Sequence, residues 1–142
     1  MPQHHLSRHT KLTMVNAEAA SAGTAINTSS VDMQDYRGAW FFGTMVTANA
    51  SNFANLARSI DDTTFNDLTG TKVTPGDAGD QFSIDVWDAG ERYLRLEVDR
   101  GGADTVVGEI FCLQYGAPRK LPATHGTTVD HEYHANPGEG TA

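Results

Sequence analysis

The sequence predicts an all-β protein: a single β-sandwich or jelly-roll-like domain with extended N- and C-terminal arms. Short runs alternate apolar with polar residues. Turn-forming Gly, Asp, Asn, Ser and Thr recur roughly every 8 to 12 residues, the spacing of short sandwich strands. No long window returns apolar residues at the helical positions i, i+3, i+4 and i+7.

The elements follow in chain order. Residues 1–27 read as an N-terminal arm, polar at its start, with His4, His5 and His9 as a solvated basic lead-in. The alanine-rich patch at 17–25 carries Ser21, Gly23 and Thr24 and is expected to hold at most a turn or two of helix. The domain spans about residues 28–115. Within it, residues 40–46 and 106–113 are dense apolar runs, which read as central strands covered on both faces. Residues 56–60, 61–64 and 65–68 read as strand, tight turn and short strand. Phe82, Ile84 and Val86 alternate with Ser83 and Asp85, and Asp88-Ala89-Gly90-Glu91 breaks the run with turn residues. The clearest strand comes next, with Leu94, Leu96 and Val98 on one face and Arg95, Glu97 and Asp99 on the other. An antiparallel pair across the break is the simplest inference. Gly101-Gly102 is a hairpin turn by its context.

Residues 116–142 differ in kind and form the C-terminal arm. The segment holds Pro118, Pro122 and Pro137 with four glycines, at 116, 126, 138 and 140, so it is neither a helix nor a central strand. Leu121, Val129, Tyr133 and the stem of Lys120 are nevertheless spaced like anchors on a polar ribbon, which disordered tails lack. The alternatives are a frayed terminus and an arm that orders on a neighbouring subunit.

Composition narrows the partners. A chain of 142 residues has room for one ordinary domain and buries roughly two-thirds of the surface its unfolded state exposes. With 18 acidic against 10 basic residues the formal charge is -8, which repels nucleic acid phosphates and anionic membrane surfaces. No stretch approaches the roughly 20 apolar residues of a membrane helix, and the first residues hold no apolar signal core. A soluble protein made in a cytoplasm is expected. The single cysteine, Cys112, sits in the apolar run Ile110-Phe111-Cys112-Leu113, where a buried inert thiol is the default.

Catalytic and metal chemistry find little support. His125, His131 and His134 lie near Asp130 and Glu132, and a three-residue His spacing serves metal on a helix. Extended backbone between Gly126 and Pro137 would splay the rings, so a solvated or interface role is expected and no metal or cofactor. Asp61-Asp62, and Asp77 with Asp80, sit where aspartate favours turns for its own backbone hydrogen bonding. No nucleophile elbow, phosphate loop or calcium-loop spacing occurs, so no catalytic residue is assigned and an enzyme is not expected. Asn49-Ala50-Ser51 fits the glycosylation acceptor pattern by chance. Trp40 and Trp87 are expected to pack in the core or at its rim; were they exposed, they would suit sugar stacking.

A more definite reading comes from five segments. They are Phe65-Asn66-Asp67-Leu68-Thr69-Gly70-Thr71, then Arg92-Tyr93-Leu94-Arg95-Leu96-Glu97-Val98-Asp99-Arg100-Gly101, then Ile110-Phe111-Cys112-Leu113-Gln114-Tyr115-Gly116, then Pro122-Ala123-Thr124-His125-Gly126, and the closing Pro137-Gly138-Glu139-Gly140-Thr141-Ala142. Together they resemble the capsid cement, or decoration, proteins of tailed bacteriophages, over roughly residues 40–142. The resemblance implies a virion protein on the outer surface of the phage head. Such a protein binds the major capsid protein and neighbouring copies of itself, with a trimer in keeping, and stabilises contacts between capsid subunits. In that setting the arm anchors are Tyr115, Leu121, Val129 and Tyr133, large side chains of the kind that dominate interfaces, with Arg119 and Lys120 facing carboxylates on the partner. The alternative is a carbohydrate- or receptor-binding β-sandwich on the virion.

Overall fold

The computed structural model describes residues 5–47, 49–116, 122–135 and 138–140. One helical turn, α1 (Leu6–His9), precedes strands β1 (Lys11–Asn16), β2 (Ala19–Ala22), β3 (Ile26–Asn27), β4 (Val31–Asp32) and β5 (Gly38–Thr44). There follow β6 (Phe53–Ser59), β7 (Asn66–Asp67), β8 (Gln81–Trp87), β9 (Tyr93–Asp99), β10 (Thr105–Val107) and β11 (Ile110–Tyr115). The protein is all-β and sandwich-like. One sheet has the order β1-β11-β5-β8; the other runs β3-β9-β6-β7, with β4 also on β9; β10 and β2 form a separate ribbon. All the strand pairs are antiparallel.

Strand alternation builds the core. Phe41, Ile84, Ile110 and Cys112 project inward from the first sheet, and Leu56, Leu94, Leu96 and Val98 from the second, all in one buried cluster. Burial of such side chains contributes roughly 1.5 to 3 kcal/mol each. Gln114, buried on β11, crosses between the sheets to donate from Nε2 to the Asp32 carbonyl at 2.8 Å. Cys112 is fully buried, and burial pushes its thiol far above the ordinary range.

Several expectations hold in detail. The strand over 93–99 buries Leu94, Leu96 and Val98, and β6 folds back on β7 through the 61–64 turn. In that turn the Asp61 carboxylate accepts the Thr64 and Thr63 amides at 2.9 and 3.0 Å and the Ser59 hydroxyl at 2.9 Å. Those donors hold its carboxyl below the usual carboxylate range. Asp80 likewise accepts the Asp77 amide at 2.9 Å.

The inferred pairing of β8 with β9 is corrected. β8 pairs with β5 and β9 with β6, in opposite sheets. The break between them is a corner tied to both sheets. Asp88 (φ 52°) and Gly90 (φ 85°) take left-handed conformations that turn the chain sharply. The Asp88 amide donates to the Arg37 carbonyl at 2.9 Å, and Arg58 of β6 donates to the Ala89 carbonyl at 2.6 Å. Each long strand thus finds a long partner, and the two apolar faces meet across the core.

The N-terminal arm is also corrected, because residues 11–27 supply β1, β2 and β3. Val15 and Ile26 are buried in the main cluster, and the alanine-rich patch is a strand paired with β10. The run at 106–113 divides at Gly108-Glu109 into β10 and β11, which lie in different sheets. Buried Arg100 secures the ribbon: Nε donates to the Thr24 carbonyl at 2.6 Å, and Nη1 to the Ala20 and Thr105 carbonyls at 2.9 and 2.8 Å.

Candidate interaction surface

The outer face of the first sheet is where the register gathers outward-facing apolar side chains, half-buried except for the exposed Trp40 and Trp87. Met14, Phe111 and Phe42 form one row across β1, β11 and β5; Leu12, Leu113 and Trp40 form the next, continued by Asp85 on β8. A third row holds Tyr115, Gly38 and Trp87. Phe42 stacks on Phe111 with centroids 5.8 Å apart and touches Trp40 at 5.2 Å. Trp40 is 42% exposed and Trp87 52%. Of the two expected places, core or rim, the core is excluded for both indoles, because both stand at outward positions of their strands. Strands β5 and β11 are central in their sheet, yet their second face is not covered by another layer among the described residues.

Glycine shapes the third row. A Cβ on Gly38 would lie 2.3 Å from the Tyr115 ring, so the bare glycine lets Tyr115 cross β5 and donate its hydroxyl to Asp85 at 2.5 Å. Burial, with the Asp85 carboxylate as a lesser cause, pushes Tyr115 up to about 12. Trp87 tilts against Tyr115 at 5.8 Å, and the Arg37 guanidinium sits 5.1 Å from the Trp87 ring centroid. Arg37 also forms a fork with Asp88, whose carboxyl it holds below the usual range.

Beyond Trp40 and Phe42 the face deepens into a groove of about 610 Å³. Its walls are Trp40, Phe42, Phe111 and Val46, and Glu18 and Glu109 also line it. Gly43, which also lines it, faces the core: a Cβ there would come within 2.9 Å of the buried Phe82 ring, so the glycine lets Phe82 pack close against β5.

The C-terminal arm lies against the N-terminal segment. The Ala123 amide donates to the Arg8 carbonyl and the Gly126 amide to the Leu12 carbonyl, each at 2.8 Å. The Leu12 amide in turn donates to Nδ1 of His125 at 2.8 Å. The two Leu12 bonds fall on the side of β1 turned away from β11, so the arm occupies an edge that would otherwise template strand addition.

The sequence-predicted site residues therefore separate. Tyr115 belongs to the outer face. Val129 is half-buried and its amide donates to the Gly126 carbonyl at 3.0 Å. Tyr133 is half-buried, edge-on to His5 at 5.1 Å, with the Arg8 guanidinium 5.1 Å from its centroid. Both thus make contacts within their own chain. Arg119, Lys120 and Leu121 lie outside the described residues. Phe42, Phe111 and Leu113 escape sequence reasoning because apolar residues on both faces of a strand read as doubly covered, and Met14 because its strand lies in the segment read as an arm.

The histidines divide as the extended backbone requires. The His131 ring rests against His125 at 4.3 Å, whereas His134 reaches Glu132 at 2.9 Å. Among the described residues no group of three or more His, Cys, Asp or Glu is placed to hold a metal ion, and no helix is long and apolar enough to cross a membrane. Comparison with protein-family models and with curated proteins finds no match for the chain.

Proposed function

We propose that this protein is a structural subunit of a bacteriophage virion, binding the outside of the head and stabilising contacts between major capsid protein subunits. The observation that carries this reading is the outer face of the first sheet, where Trp40, Phe42, Phe111 and Leu113 adjoin in one apolar surface. Contiguous aromatic patches on a protein mark contact sites, and aromatic side chains are the usual energetic centres of interfaces. The resemblance of five segments to cement proteins gives the partner its identity. The charge of -8 keeps free subunits dispersed until a shell is present.

The test is co-sedimentation of the purified chain with heads that lack it. Trp40→Ala is expected to weaken binding by about 2 kcal/mol or more, roughly thirtyfold, as for a central interface tryptophan. Because Trp40 projects outward, its thermal midpoint stays close to that of the parent. Undiminished binding by a Trp40→Ala, Phe42→Ala double variant overturns the reading.

The second reading, a carbohydrate- or receptor-binding module on the virion, is favoured by the exposure of both indoles on one face. Against it, Trp87 already carries Arg37 and Tyr115 on its ring. Binding to a glycan array without binding to heads favours this alternative.

A further inference from the structure

The groove beside Trp40 combines two chemistries. Its walls are aromatic, and the two charged side chains lining it are both carboxylates, Glu18 and Glu109, without a lysine or arginine. Four acids elsewhere have an arginine partner: Asp88 with Arg37, Glu91 with Arg58, Asp32 with Arg92 and Glu97 with Arg95. Arg100 is committed to three backbone carbonyls. Among the described residues neither Glu18 nor Glu109 has an ion-pair partner.

We infer that the groove receives an apolar segment of a partner protein that carries a lysine or arginine, its apolar part between Trp40, Phe42 and Phe111 and its cation against Glu18 and Glu109. Under the function proposed above that partner is the major capsid protein, so the naming of the partner rests on that reading. A cation suits both parts of the groove, since it pairs with carboxylates and is attracted to the faces of Trp and Phe rings. Acidic ligands are repelled at the same place. A second copy of this chain brings a net charge of the same sign.

Two measurements test the inference. In the first, affinity for heads is followed against salt for the parent and for a Glu18→Gln, Glu109→Gln double variant. At 50 mM salt the variant is expected to bind about tenfold more weakly and with a shallower salt dependence, as when charge complementarity is removed. Equal affinity and equal slope overturn the inference while leaving head binding intact. In the second, amide shifts are followed as 3-phenylpropylammonium or 3-phenylpropanoate is added to the chain. The cation is expected to shift Gly43, Thr44, Gly108 and Glu109, severalfold more weakly in the double variant, and the anion is not. An equal response to both probes overturns the inference independently of any head. If the parent fails to bind heads, the capsid protein is overturned as the partner, and the probe measurement decides the groove's chemistry.

Discussion

Acidification is expected to loosen the C-terminal arm from β1 through His125. Nδ1 accepts the Leu12 amide at 2.8 Å, so the docked ring is neutral with its proton on Nε2. Protonation puts a hydrogen on Nδ1, and two donors then face each other. Burial and the neighbouring His131 both press the His125 value below 6.5, while a backbone contact at Ser7 opposes them. Arg8 and His5, from α1, face Tyr133 of the arm, and His131 is the titratable group against His125 itself. The sign follows from the lowered value: the free arm takes up its proton first. Docking is at full strength above about pH 6.5 and declines as pH falls from there to the depressed docked value. Losing one such hydrogen bond costs about 1 kcal/mol, a factor of about five. Hydrogen exchange at Leu12, expressed as a protection factor to remove the intrinsic pH dependence, should fall about fivefold or more between pH 7.5 and 5. His125→Ala should give the same loss at pH 7.5. Unchanged protection at Leu12 across the titration of His125 refutes the reasoning.

Other perturbations follow from the same contacts. Phe41→Ala, at a fully buried site, is expected to cost about 3 to 5 kcal/mol in denaturant unfolding. Arg100→Met leaves the Thr24, Ala20 and Thr105 carbonyls without their donors, costing about 2 to 4 kcal/mol; Arg100→Lys recovers only part, because one ammonium cannot reproduce the fork. Absorbance titration should find a tyrosine near 12. Asp85→Asn lowers it but leaves it above the ordinary value of about 10, since burial is the larger cause. With the folded value raised, Tyr115 favours the folded state at neutral pH and costs stability as pH climbs past about 10.

The sequence was most legible where one face is buried and the other is wet. Strand β9 alternates cleanly, and Asp61 in its turn needs only local donors. Strand β1 hid because Lys11, Thr13 and Asn16 break its apolar pattern, and β2 because alanine and serine carry little strand preference. The β8–β9 corner misled because turn residues mark a change of direction without stating whether the chain returns to the same sheet. That choice is made by the partners β5 and β6, distant in sequence. The outer face stayed hidden for a related reason: outward Phe42, Phe111 and Leu113 have the composition of a core, and pattern alone does not tell a third layer from a docking surface. Arg100, the single arginine in the run 92–101 that is buried, looks in sequence like Arg92 and Arg95, which are exposed and half-buried.

A density map of heads reconstituted with the purified chain tests the central claim most directly. The outer face of the first sheet, with Trp40, Phe42 and Phe111, is predicted to lie against the capsid shell, with the groove over a lysine or arginine of the major capsid protein. A subunit bound with that face turned to solvent, or a shell with no added density, would contradict it.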